Sequence, residues 1–211
     1  MFARTEARNH SPLPWEIHQT SHQRQHAGNH RLDPAAVAQF DQLLHQIHPE
    51  AHHVDADRIA TLARWLQNLP EAQASSILAE RLARIELLRA MLDDPDWDPG
   101  DGNRERIGRL LAYIDHRDGQ DLIPASIPLL GLLDDVLLLE LAWPALQIEA
   151  EDYRDFCDYR EDAQPQGDGV QRRDAWIRER LEALALYRHH ARVNASHYAD
   201  SGQPNQPFRI G

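Results

Sequence analysis

The stretch from Tyr113 to Leu139, YIDHRDGQDLIPASIPLLGLLDDVLLL, is where the fold is decided. It carries two prolines, Pro124 and Pro128, then Gly131, then an Asp134-Asp135 pair that opens a leucine-rich run. Proline fixes φ near the helical value and suits the first turn of a helix. Gly131 is expected to supply a left-handed residue that ends one helical turn. Asp134 or Asp135 is expected to cap the next helix, whose positive end favours an acid. Asp121 precedes Pro124 by three residues, where a short carboxylate can accept from exposed backbone N–H groups. The reading is a capped, proline- and glycine-punctuated helical hairpin over 113–146, buried at the centre of the fold. On it, Asp121→Ala and Asp134→Ala each cost about 1 kcal/mol through a lost cap.

The apolar stretch Leu122 to Ile148 has the length of a membrane span. Its Leu, Ile and Val residues contribute about −4 to −8 kcal/mol on an insertion scale, against up to about +10 for Asp134, Asp135 and Glu140. Pro124, Pro128 and Pro144 interrupt a single span as well. Two buried helices joined by a turn are expected instead, with weak peripheral membrane contact left open.

Outward from this centre, apolar residues recur at helical spacing. Asp33-Pro34 reads as an N-cap and first turn, followed by Val37, Phe40, Leu44 and Ile47. Further helices carry Ile59, Leu62, Leu66 and Leu69, then Leu78, Leu82, Ile85, Leu88 and Leu92, then Ile107, Leu110, Leu111 and Ile114. Residues 93–103, DDPDWDPGDGN, read as a loop, and Trp97 within it either tucks into the core or marks a contact surface. Helical structure is expected to resume through residues 152–162. The last helix, about 171–197, places Ile177, Leu181, Leu184, Tyr187 and Ala191 on one face. No alternating strand pattern is found, so the expected class is all-α, a single bundle of about six or seven helices. Residues 1–32 read as a polar His/Gln-rich tail, and deleting residues 1–30 is expected to leave the melting temperature nearly unchanged. Residues 33–198 form the helical domain, and 199–211 a C-terminal tail.

The 113–139 segment resembles the signature of the YkvA family, a bacterial family of uncharacterised function whose members read close to YLxSPxDLIPDxIPxLGxLDD. Tyr113, Asp121, Leu122, Ile123, Pro124, Ile127, Pro128, Leu130, Gly131, Leu133, Asp134 and Asp135 fall on matching positions. Asp118-Gly119 stands where the family has Ser-Pro, and Ala125 where it has Asp, so no role of that second carboxylate carries over. The resemblance implies a small helical module, sometimes membrane-associated, without an established activity.

With 22 basic and 34 acidic side chains the net charge is −12 in 211 residues, which opposes generic nucleic-acid binding. There is no lysine, so every permanent side-chain cation is an arginine. Cys157 is the lone cysteine, which excludes an internal disulfide and favours a reducing, cytoplasmic setting. Carboxylates surround it, and it reads as inert. The N-terminal residues lack an apolar run of signal-peptide length, so secretion by that route is not expected.

Two constellations invite chemistry. If the hairpin folds back, Asp115, His116, Asp118 and Asp121 approach Asp134 and Asp135, a set suited to Mg²⁺ or Mn²⁺ and to water activation against phosphate esters. That gives the alternative function: a metal-dependent hydrolase or phosphate-handling enzyme using Asp115, His116, Asp121, Asp134 and Asp135. Known hydrolase spacings and Gly-rich phosphate loops are absent. In the tail, His18, His22, His26 and His30 recur every four residues, and a helix there would align them for adventitious Zn²⁺ or Ni²⁺. His45, His48, His52 and His53 are expected at the surface near a helix end. Arg172, Arg173, Arg178, Arg180, Arg188 and Arg192 alternate with Asp174, Glu179 and Glu182, as on an exposed, salt-bridged helix. The leading reading is a non-enzymatic cytoplasmic module without a cofactor, acting through a protein partner or the inner membrane surface.

Overall fold

A computed structural model of the chain describes residues 13–15, 24–115 and 121–199, with side chains as far as residue 194. The protein is all-α. Among the described residues six helices run in order: α1 (Pro34–Ile47), α2 (Ala56–Gln67), α3 (Glu71–Asp93), α4 (Gly100–Asp115), α5 (Leu133–Ala163) and α6 (Gly169–Ala199). Asp33 caps α1 by accepting from the Ala35 N–H at 3.3 Å, and Asp55 caps α2 by accepting from Arg58 N–H at 2.8 Å. Contacts gather the chain into two compact units, one up to Asp94 together with Asp98–Asp152, the other Pro95–Trp97 together with everything from Tyr153 onward.

The first unit is built on the inward faces of α1 to α4 and of α5 as far as residue 152. Phe40, Leu44, Ile47, Ile59, Leu62, Leu66, Leu88, Met91, Ile107 and Leu110 are buried there, joined by Leu122, Ile123 and the run Val136–Leu139. α5 is one helix where the sequence suggested a break, and Pro144 lies inside it. Proline removes the N–H that would pair with the Glu140 carbonyl. Just beyond that point, at the next carbonyl, His48 Nδ1–H donates to Leu141 O at 2.9 Å. His48 is thus a half-buried strut, not the surface residue expected.

The described part of the N-terminal stretch is no solvated tail. Leu13 and Trp15 are buried, and residues 26–31 form a small antiparallel hairpin, β1 (His26–Ala27) and β2 (His30–Arg31). Gly28 turns it with φ of +61°, the left-handed conformation a two-residue hairpin loop needs. Ala27 and Leu32 are almost fully buried, Arg24 N–H donates to Asp57 Oδ1, and the Arg24 guanidinium donates to Thr61 Oγ1, both at 2.9 Å. Deleting residues 1–30 therefore removes buried apolar surface and is not neutral. The hairpin was hidden in the sequence because two-residue strands leave no alternation to read.

The second unit centres on aromatic rings. Trp97 is buried against Tyr153, Phe156 and Trp176, with centroids 5.4, 5.3 and 5.6 Å away. The Trp176 indole N–H donates to Asp155 Oδ2 at 3.0 Å.

Candidate functional site

The 121–135 segment of the first unit is held by a succession of tight turns. Ile127 N–H donates to Pro124 O at 2.9 Å and Gly131 N–H to Ile127 O at 2.8 Å, which coils the two prolines into successive turns. Leu130 N–H donates to Pro128 O at 2.7 Å and closes a three-residue γ-turn around Leu129. Leu129 has φ 66° and ψ −48°, a strained conformation for a branched side chain. The left-handed residue is therefore Leu129 and not Gly131. Glycine is needed at 131 for another reason: a Cβ there would lie 2.7 Å from Ala125 Cα and 2.8 Å from its carbonyl oxygen.

Asp134 departs from its expected role too. It lies in the first turn of α5, 2 % exposed, and its Oδ2 reaches back to the loop. It accepts from Leu122 N–H at 3.0 Å, Ile123 N–H at 3.4 Å and the Tyr113 hydroxyl of α4 at 3.0 Å. One carboxylate thus pins α4, the DLIP loop and the start of α5 together. Burial holds the Asp134 carboxyl above its ordinary range, and the nearby Asp121 charge adds to this; the hydrogen bonds from Tyr113 and the backbone pull the other way. Burial, reinforced by the Asp134 charge, likewise drives the Tyr113 hydroxyl far up. Glu140, one of the acids expected to oppose membrane insertion, is paired: Arg84 lies 3.0 Å and the buried Arg81 3.4 Å from its Oε2.

The described members of the proposed hydrolase set do not converge. Asp115 is held at the surface by Arg89 through contacts of 2.6 and 3.2 Å. Asp121 is half-buried near Asp134, and Asp135 is buried. Among the described residues these acids form no group with metal-ligand spacing. His116 and Asp118 lie outside the described residues, as do His18 and His22 of the tail. His26 and His30 sit on the two strands of the hairpin, out of register, so they do not share a helical face.

A set the sequence did not single out does converge. Asp41 on α1 has its carboxylate 2.9 Å from His53 Nδ1 and 3.5 Å from His45 Nδ1, and the two imidazoles stack with centroids 4.4 Å apart. Val54 N–H donates to Asp41 Oδ1 at 2.7 Å. Burial pushes the Asp41 carboxyl up, but the bonds from Val54 and His53 and the two imidazoles together hold it below its usual range. The i,i+4 spacing of Asp41 and His45 was legible, whereas the return of the 48–55 loop, which brings His53, was not.

In the second unit Asp96 accepts from Arg172 at 2.6 Å and Arg160 at 3.2 Å. The Arg172 bond first, and then Arg160, hold its carboxyl below the usual range. The Arg160 guanidinium donates to Cys157 Sγ at 3.7 Å and lies over the Phe156 ring. On α6, residues 177–194 are exposed throughout, including Ile177 at 46 %, Leu181 at 61 %, Leu184 at 44 % and Tyr187 at 72 %.

Compared with known protein families, curated proteins and solved structures, the chain matches none. Among the described residues no helix is long and apolar enough to cross a membrane.

Proposed function

We propose that the chain is a non-enzymatic, YkvA-like helical module that acts by docking a partner protein along α6, in a cytoplasmic setting. The exposed apolar stripe of α6 carries this reading. Ile177, Leu181, Leu184 and Ala191 follow the 4-3-7 spacing of a helix seam, and solvent covers them. Arg178 and Arg192 flank the stripe on one side and Arg173 and Arg180 on the other, with Arg188 within it; Arg180 is also paired with Asp155 at 3.5 Å, Asp174 lies at the N-terminal end of the seam, and Glu179 and Glu182 lie round the back. A second copy of α6 would set arginine against arginine. The partner that fits is an amphipathic helix with apolar residues on its seam and carboxylates on its flanks. The 121–135 segment supports the non-enzymatic side: the Asp134 oxygen that faces the loop already serves three protein donors.

The test uses a labelled synthetic helix with leucine at the seam and glutamate at its flanks. The expected result is binding that weakens as salt rises, disappears in a Leu181→Ser/Leu184→Ser double variant, and is absent for a lysine-flanked helix of the same seam. Equal binding of both peptides, or binding unchanged in the double variant, overturns the reading. Flotation with anionic vesicles that depends on the arginines, without peptide binding, reassigns the same face to a membrane surface.

A further inference from the structure

The histidine group at the end of α1 carries chemistry that partner docking does not use. His45 Nδ1 faces the Asp41 carbonyl oxygen at 2.8 Å, and Nε2 faces that of Ala51 at 3.1 Å. A neutral imidazole has one N–H, so it donates to only one of these acceptors. With the proton on Nε2, the Nδ1 lone pair is left against the Asp41 carbonyl and, 3.5 Å away, Asp41 Oδ1. Electron pairs then converge on one point, which a cation relieves. His53 Nδ1 approaches the same carboxylate from the other side at 2.9 Å.

We infer that Asp41, His45 and His53 form a binding site for one borderline divalent transition-metal ion of the Zn²⁺ and Co²⁺ class. The ligand atoms all lie within 4.8 Å of one another. A tetrahedral ion bonded at about 2.0–2.1 Å spaces its ligands about 3.3 Å apart; His53 Nδ1 stands 2.9 Å from Oδ2 and His45 Nδ1 3.5 Å from Oδ1 of the one carboxylate, which would turn to present a single oxygen between them. Two imidazoles and one carboxylate select this class over Mg²⁺ and Ca²⁺, which prefer oxygen ligands. The supporting bonds are those that metal sites use. With Nδ1 on the ion, His45 Nε2–H would donate to the Ala51 carbonyl at 3.1 Å, and Val54 N–H orients the carboxylate. Metal binding displaces the proton that His53 Nδ1 shares with Asp41 Oδ2. Arg58, which donates to the His53 carbonyl oxygen at 3.2 Å, anchors the loop and places a positive charge nearby that limits affinity. His53 is 83 % exposed at its side chain, so the fourth coordination position opens to solvent. The ion would tie the α1–α2 loop to the end of α1.

Titration of the full chain with Co²⁺, followed by its visible ligand-field bands, and with Zn²⁺ by calorimetry tests this at pH 7.5. The expected result is one saturable site per chain that also raises the melting temperature. His53→Ala, an exposed position where folding is safe, is expected to weaken it at least about 10-fold. Asp41→Asn and His45→Gln do the same, whereas changing His18, His22, His26 and His30 together to alanine leaves it intact. Absence of a saturable site overturns the inference, as does a site lost in the four-histidine variant and kept in His53→Ala. The result is independent of α6, since the Leu181→Ser/Leu184→Ser variant retains the metal site if this inference holds and loses peptide binding if the docking reading holds.

Discussion

The two compact units are each drawn together by one carboxylate, and they use opposite chemistry. In the first, Asp134 is buried and its Oδ2 accepts only from neutral donors, two backbone N–H groups and a phenol. In the second, Asp96 keeps its side chain 15 % exposed and is held by two guanidiniums. Burial raises the first carboxyl and the arginines lower the second. A neutral-donor site gains geometric definition, because every donor belongs to a fixed backbone or ring, but it strains the ionised form. An arginine-bridged site favours the ionised form, yet its long side chains are screened and mobile. The hairpin signature thus marks a joint defined by short, fixed donors, while the second unit's carboxylate is bound through long side chains.

The largest expected effect follows from removing that joint's centre. Asp134→Ala leaves two buried N–H groups and a half-buried hydroxyl without their acceptor, at about 3 kcal/mol in all. Denaturant unfolding measures it. A loss near the 1 kcal/mol of an ordinary cap would show that the loop finds other acceptors and that the two carboxylates are alike. Gly131→Ala comes next, at about 2 kcal/mol, because the new methyl must displace the Ala125 backbone. If it is neutral, the close approach of residues 125 and 131 is adjustable and the joint is not rigid. Asp96→Ala is expected to cost about 1 kcal/mol, since its partners are partly solvated and can turn to water. A cost above that of Asp134→Ala would reverse the ranking of the two units.

How far the sequence carried this picture depends on the range of the interactions. The all-α class, the Asp33-Pro34 start of α1 and the buried faces follow from local periodicity, which is read within a few turns. The importance of the 121–135 segment was legible as well, from its punctuation. What each residue does there was not, because the roles are set by contacts across the fold. Asp134 looks like a cap for its own helix until α4 places Tyr113 beside it. Gly131 looks like a left-handed terminator until residue 125 comes close, and the strain passes to Leu129. Trp97, ambiguous in an acidic loop, needs Tyr153, Phe156 and Trp176 around it before its burial makes sense. The Asp41, His45 and His53 group depends on a loop reversal that no spacing rule encodes. The carboxylates of the expected hydrolase set were close in sequence, yet Arg89 claims Asp115 for the surface.

The smallest effect separates the two carboxylates most cleanly, because it differs in sign. Asp134 has a folded-state value raised above the ordinary 3.8, so the folded chain binds its proton more tightly than the unfolded chain does. Its contribution is therefore fully favourable below 3.8 and is lost as pH rises through the raised value. Asp96 has a lowered value, so its contribution is present above 3.8 and is lost as pH falls through the lowered value. Urea midpoints measured from neutral pH downward, for the parent, Asp134→Asn and Asp96→Asn, isolate each term by difference. The parent-minus-Asp134→Asn curve is expected to climb on acidification and to level off below about 3.8. The parent-minus-Asp96→Asn curve is expected to stay flat down to about 3.8 and then to fall. Asparagine keeps the shape and one acceptor oxygen at each site, so a change of slope reports ionisation and not lost packing. Two curves bending the same way would mean that the buried joint is stabilised by its charge after all, and the contrast between the units would rest on burial alone.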